Sequence, residues 1–334
     1  MGRAIPQIKQ RSTSLAALAL PVSFLVLLAF ASSARASQLV DRNATDVRIA
    51  VNAQGQALIT YRASGRLRRV LAWGAVNARS SASGGKQVSF RIDYSGGWGT
   101  YRRQVWRTFA DTCQRYSGPT LTNVVASCTA SDGSYWALQS WRVALPDLGF
   151  LPWLPLQRAR WLTLSHWGGE LAQLEVHTDW VYSGRFQQLF GRLTYKGKPV
   201  YGYRTSRLGN PTEGFGRLVY VDTLNAPNYG AGWRRENSFV THKHTGAFCY
   251  GFFRFDPTAG GYATPAHWPK HHRRGPGVGK RYRVSVLGPG VTPDLTVEVD
   301  GLHPYDRHNP DDVAYEASEN TILDSYHDRL CRHH

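Results

Sequence analysis

The run Gln173-Leu174-Glu175-Val176-His177-Thr178-Asp179-Trp180 holds the densest proton-transfer chemistry in this 334-residue chain. Side chains alternate along a strand, so an extended run places Glu175, His177 and Asp179 on one side and Leu174, Val176 and Trp180 on the other. His177 then stands between two carboxylates, each roughly 6.5–7 Å away, near enough for one of them to orient the imidazole as a general base. Glu175 and Asp179 would be about 13 Å apart, too far for the paired carboxylates of a glycosidase. The same pattern also describes the wet face of a half-buried strand.

His242-Lys243-His244 offers a second chemistry. On a strand both imidazoles point the same way, and two neutral imidazoles supply half of a tetrahedral zinc site. The unit is similar to His-x-His pairs in some zinc peptidases that act on cell walls and in cupin-type metal sites. The resemblance covers three residues, so a third ligand such as His177 or Asp179 would have to arrive from another strand. Cys249, five residues after His244, resembles the nucleophile of the L,D-transpeptidases. The chain departs from their Ser-x-Gly-Cys run, reading Gly246-Ala247-Phe248-Cys249.

The four cysteines, Cys113, Cys128, Cys249 and Cys331, show no CxxC spacing and suit two disulfides in an exported domain. Three pairings are open. The favoured one joins Cys113 to Cys128, a closure worth about 3 kcal/mol in the chain-entropy account, and leaves Cys249 to tie down Cys331.

Aromatic rings beside arginines are the remaining resource, with 11 Trp, 17 Tyr and 13 Phe in the chain. A ring can stack on a sugar face while a guanidinium binds hydroxyl, carboxylate or phosphate groups. Most of these rings must fill the core. Trp98, with Arg102 and Arg103, and Trp233, with Arg234 and Arg235, follow glycines and are the candidate ligand contacts. The glycine-rich runs at 275–280 and 288–291 are not phosphate loops, because neither follows the GxxxxGK[ST] pattern.

The elements that must position these groups read as a mainly β chain. Alternating Val47, Ile49 and Val51 and the turns at Gln54-Gly55 and Ser64-Gly65 predict an antiparallel meander over 47–73. Further strands are expected at 88–92, 134–143, 171–181, 188–195, 200–204, 217–221, 238–242, 247–253, 281–287 and 295–299. Their short, regular spacing argues for an antiparallel β-sandwich or barrel-like meander. Tyr101, Val105, Phe109 and Cys113 recur every four residues and predict a short helix near 101–115. Asn309-Pro310-Asp311-Asp312 is a helix start, and Val313, Ala317, Leu323, Tyr326 and Leu330 are expected to share the buried face of a helix over 311–330. Segment 146–155 is a proline-bounded apolar loop, with a sub-boundary of the fold expected near 144–160. Segment 257–280 is expected to be a mobile loop rich in Gly, Pro, His and basic residues.

Ahead of all this, Arg3, Lys9 and Arg11 lead into an apolar stretch over 15–31 and the small-x-small triplet Ala34-Arg35-Ala36. Residues 1–36 therefore read as a cleaved signal peptide, and 37–334 as one large exported β-rich domain. The alternative is an N-terminal membrane anchor, for which about 17 apolar residues are at the short limit. The net charge of +17, less the four cations of that segment, leaves +13, mostly arginine. A basic exported chain attracts anionic or glycan polymers of the cell envelope, with nucleic acid only a secondary expectation. No later stretch is long and apolar enough to span a bilayer. The composition leans toward a binding or structural module without a cofactor. The alternative is an envelope hydrolase, with zinc as its candidate metal, built on His177, Asp179 and the His242/His244 pair.

Overall fold

A computed structural model describes residues 37–76, 88–142, 159–201, 218–226, 231–253, 278–287 and 293–333. The apolar loop at 146–155 and nearly all of the basic loop at 257–280 lie outside the described residues, as does the 1–36 segment.

The described chain is mainly β, with antiparallel sheets and no closed barrel. The first four described strands are β1 (Ser37–Arg42), β2 (Thr45–Val51), β3 (Gln56–Ala63) and β4 (Arg66–Gly74). They are followed by β5 (Phe90–Asp93), a single helical turn α1 (Trp98–Tyr101), β6 (Val124–Thr129), β7 (Tyr135–Arg142) and β8 (Arg160–Trp167). Two four-stranded sheets, β1-β8-β7-β6 and β2-β3-β4-β5, share one core in which Ile59, Tyr61, Val70, Trp136, Leu138 and Leu164 are buried. The β2–β4 meander follows the alternation and turn residues expected of it.

The second half repeats this plan around a separate core. It contains β9 (Gln173–Val181), β10 (Phe186–Tyr195), β11 (Lys198–Pro199), β12 (Leu218–Leu224), β13 (Trp233–Val240), β14 (Ala247–Phe253), β15 (Arg281–Leu287) and β16 (Leu295–Asp300). β10 pairs with β9, β11 and β14, and the other sheet runs β13-β12-β15-β16. Leu189, Leu193, Phe248 and Phe252 of the first meet Val219, Val221, Tyr282, Val284 and Val286 of the second. Each such fully buried side chain contributes roughly 1.5–3 kcal/mol over exposure. The change of core falls between Trp167 and Gln173.

One helix, α2 (Pro310–Ser325), closes the fold on the outer face of β9 and β10. Asn309 caps it, its side chain accepting from the Asp311 N–H at 3.1 Å, with Pro310 and two acids in the first turn as the sequence predicts. Its far end differs from expectation. The helix stops at Ser325, because His327 takes φ +51° and the Asp328 carboxylate gathers the N–H groups of Leu330 and Cys331. Val313 and Leu330 are exposed, whereas Asp312, Glu319 and Leu323 are buried. Tyr326 is buried with Leu323 as expected, so the covered face is apolar toward its C-terminal end and carries the acids Asp312 and Glu319 before it.

The helix expected near 101–115 is also absent. α1 ends at Arg102, which takes a left-handed φ of +55°, and only a 3-10 turn (Val105–Arg107) follows. The four-residue spacing misled because its members serve different neighbours. Tyr101 is exposed, Val105 and Phe109 pack on Leu58 and Leu71, and Cys113 packs on the first core. Gly97 keeps this loop tight, since at φ +100° a Cβ there would meet the Val105 side chain at 2.6 Å.

Cys113 is bonded to Cys128 and Cys249 to Cys331, the pairing that loop closure favoured.

Candidate functional site

A cleft of about 610 Å³ opens where the two halves meet. One wall is Thr122, Asn123, Trp141, Arg142 and Arg160 from the β6–β8 side. The other comes from β12, β13, β15 and β16, and includes Asp222, Trp233, Arg235, Arg283, Ser285 and Glu298. The halves are joined beside it by Gln139, whose side chain donates to the Asp294 carbonyl at 3.0 Å and accepts from the Asp294 N–H at 3.0 Å.

Register explains the charges on the second wall. Arg235 lies opposite Asp222, Asp222 opposite Arg283, and Arg283 opposite Glu298, so opposite charges alternate across four strands. Arg235 Nε donates to Asp222 Oδ1 at 2.7 Å and Arg283 Nε to Glu298 Oε1 at 3.0 Å. The guanidiniums also cover aromatic faces, Arg235 over Tyr220 at 4.3 Å and Arg283 over Trp233 at 3.9 Å. Burial pushes the Asp222 carboxyl up from its ordinary range, and Arg235 and Arg283 oppose that.

The first wall breaks this pattern. Arg142 and Arg160 are directly opposite one another on β7 and β8. Like charges in that relation destabilise a sheet. Arg160 is held by Ser140, donating to its hydroxyl at 3.1 Å and its carbonyl at 2.7 Å. The Arg142 guanidinium has no partner among the described residues. Trp141, beside it, has its indole N–H buried without an acceptor among the described residues. Four arginines against two carboxylates leave the lining with an excess of two positive charges.

Of the sequence candidates, Trp233 and Arg235 line this cleft. Arg234 lies between them on β13, opposite Thr223, and its side chain is outside the described residues. Trp98, Arg102 and Arg103 are not among the lining residues. They stand on the exposed loop after β5, where burial alone would raise the Asp93 carboxyl, but hydrogen bonds from Ser95 and Thr100 hold it down at about 2. Arg142, Arg160, Asp222 and Arg283 were missed. Asp222 and Arg283 carried a signal, a charge inside an otherwise apolar strand, whereas Arg142 and Arg160 stand at strand ends, where a charge is ordinary.

His177, Glu175 and Asp179 do face one side of β9, but the arrangement differs from the one expected. His177 Nε2 approaches Glu175 Oε1 at 3.2 Å, and its Nδ1 meets Glu319 Oε2 of α2 at 3.0 Å. The second flanking carboxylate is thus Glu319, while Asp179 is fully buried with neither oxygen partnered among the described residues. Burial first, then Glu319 and Glu316, push the Asp179 carboxyl up to about 8. Burial also raises Glu319, against the pull of His177. Burial would raise Glu175 too, but Arg192, donating at 2.7 Å, outweighs it and holds the carboxyl below its usual range. Asp312, Glu316 and Glu319 recur at helical spacing, the signal by which this acidic face could have been read.

His242 and His244 do not share a strand. β13 ends at Val240, and both histidines sit in the tight turn before β14, with Gly246 N–H bonded to the His242 carbonyl at 3.0 Å. His244 takes φ +79° and lies against the Tyr201 ring, so the two imidazoles diverge. His242 instead bonds Asp328 through Nδ1 at 2.9 Å, with Cys331 Sγ 3.7 Å away. His177 and His242 have separate partners, the first Glu175 and Glu319, the second Asp328. Cys249 is disulfide-bonded and has no free thiol to act as a nucleophile.

No protein-family model, curated protein or solved structure matches the chain.

Proposed function

We propose that this is an exported, basic, β-rich binding module of the cell envelope or extracellular space that holds an anionic glycan in the arginine-lined cleft. The observation that carries the reading is the Arg142/Arg160 pair: two like charges set opposite one another beside a cavity, with two tryptophans and further arginines around it. An anion between them relieves the repulsion that the free protein bears. The polar lining of Thr122, Asn123 and Thr296 beside the arginines suits a hydroxylated acid better than a bare inorganic ion. Two disulfides and the basic-then-apolar leader support export.

Calorimetric titration with an oligogalacturonate, a poly(glycerol phosphate) and a neutral glucan tests this. The acidic chains are expected to bind, with affinity falling steeply as salt rises, and Arg142→Ala with Arg160→Ala is expected to weaken binding at least tenfold without lowering Tm. Equal binding of the neutral glucan, or unaltered binding by the double variant, would overturn the proposal.

The hydrolase alternative draws support from Asp179, a buried carboxyl raised to about 8, a kind of perturbed group that can serve as a general acid. None of Glu175, His177 or Asp179 lines the cleft.

A further inference from the structure

We infer that the Cys249–Cys331 bridge is the oxidised form of a zinc-class cation site completed by His242 and Asp328. This inference is independent of the arginine cleft and of the ligand proposed for it.

Three segments bring the donors together: the turn before β14 supplies His242, β14 supplies Cys249, and the tail after α2 supplies Asp328 and Cys331. His242 Nδ1, an Asp328 oxygen and Cys331 Sγ lie within 4.8 Å of one another, and Cys249 is bonded to that same sulfur. Two sulfurs, one imidazole and one carboxylate form a set that tetrahedral zinc accepts. Zinc–ligand bond lengths imply edges of about 3.6 Å between nitrogen and sulfur and about 3.4 Å between nitrogen and oxygen. The observed separations are 3.7 Å from His242 Nδ1 to Cys331 Sγ and 2.9 Å from His242 Nδ1 to Asp328 Oδ1. The nitrogen–sulfur edge is already at its bound length, and the nitrogen–oxygen edge needs to widen by about 0.5 Å. The larger change is the separation of Cys249 Sγ from Cys331 Sγ, which breaking their bond permits.

The surroundings are organised for such a site. Asp328 is nearly enclosed: its Oδ1 accepts from the Leu330 and Cys331 N–H groups and faces the imidazole, while its Oδ2 accepts from the Thr245 hydroxyl. Donors of this kind around a ligand carboxylate fix its direction and tune its affinity. His242 remains partly open to solvent, which gives a cation its path of entry.

The chemistry balances simply. A dithiol reductant passes two electrons to the bridge as it closes its own disulfide, leaving Cys249 and Cys331 as thiols. A divalent cation then binds both sulfurs as their two protons leave to solvent, and it takes the place of the proton shared by His242 Nδ1 and Asp328 Oδ1, the neutral imidazole carrying its proton on Nε2. The C-terminal tail is thus anchored to β14 and the turn by sulfur–sulfur bonding in one redox state and by the cation in the other.

The full chain, reduced with a phosphine and titrated with Co²⁺ and then Zn²⁺, tests the inference. One equivalent of Co²⁺ is expected to give thiolate-to-cobalt charge-transfer absorption that Zn²⁺ abolishes, with no such absorption in the oxidised protein. Alkylation mapped by peptide is expected to slow at least tenfold at Cys249 and Cys331 on adding Zn²⁺, and not at Cys113 or Cys128. His242→Gln and, separately, Asp328→Asn are each expected to reduce that protection at least fivefold. Absence of the absorption, protection confined to the Cys113/Cys128 pair, or protection unaltered in His242→Gln would each overturn it.

Discussion

The arginine cleft and the carboxylate layer beneath α2 are two charged regions of opposite sign, and they are neutralised by different means. In the cleft, Arg235, Asp222, Arg283 and Glu298 are paired by strand register, and the surplus at Arg142 and Arg160 faces an open cavity. Under α2, Asp179, Glu316 and Glu319 gather where a helix covers a sheet, with the His177 imidazole 3.0 Å from Glu319. A charge in a strand row finds its partner on the next strand. A charge trapped between layers must instead take up a proton or a counter-ion. The cleft should therefore respond to salt and anions, and the layer to pH.

The largest expected effect breaks the comparison on the α2 side. The Asp179 carboxyl is raised from 3.8 to about 8, so the folded state holds a proton that the unfolded chain releases. The sign follows from linkage: its favourable contribution is complete below about pH 4, shrinks as pH rises, and is gone above about pH 8. A shift of that size corresponds to on the order of 5 kcal/mol. Urea unfolding at pH 5 and pH 8.5 should show the wild type losing several kcal/mol across that span, and Asp179→Asn losing much less. A parallel loss in both proteins would show that Asp179 is not the proton site.

Next in size, Arg235→Ala strands Asp222 as a buried, half-neutralised carboxylate and should cost about 3–5 kcal/mol. Adding Asp222→Asn should recover part of that loss, which thermal unfolding of the single and double variants measures. A single variant as stable as the wild type would mean that Arg283 alone neutralises the row.

The smallest effect sharpens the contrast. Arg142→Gln removes one member of an opposed like-charge pair and should leave stability unchanged or raise it by about 0.2–1 kcal/mol at low salt. The same change should weaken binding of an acidic glycan. A clear loss of stability would assign Arg142 a structural role and remove the case for a ligand at that wall.

How far the sequence could be read follows from the range of each interaction. The β2–β4 meander was legible because alternation and a Ser64-Gly65 turn act over a few residues. The start of α2 was legible for the same reason, since cap, proline and first-turn acids are neighbours in the chain. The face of α2 was read in part: Leu323 and Tyr326 are buried as expected, but Val313 and Leu330 are exposed, and the acids Asp312 and Glu319 are buried, Glu319 against His177 and Asp312 against His303. His177 itself was correctly flagged as flanked by carboxylates, but the wrong acid was assigned to one side, because Asp179 is adjacent in sequence and Glu319 is adjacent only in space. Strands β1, β6 and β8 were not anticipated: the first two are short and mixed, and β8 is buried on both faces, so its sequence does not alternate.

From sequence alone came the mainly β character, the favoured disulfide pairing, the basic charge and the exported reading, all of which rest on composition or on spacing within one segment. Tertiary structure decided which charges meet: that Arg142 faces Arg160, that Asp222 lies between two arginines, that Glu319 reaches His177, and that His242 and Asp328 flank a disulfide. Those encounters depend on register between strands and on where a helix docks, and both are set by burying two separate cores.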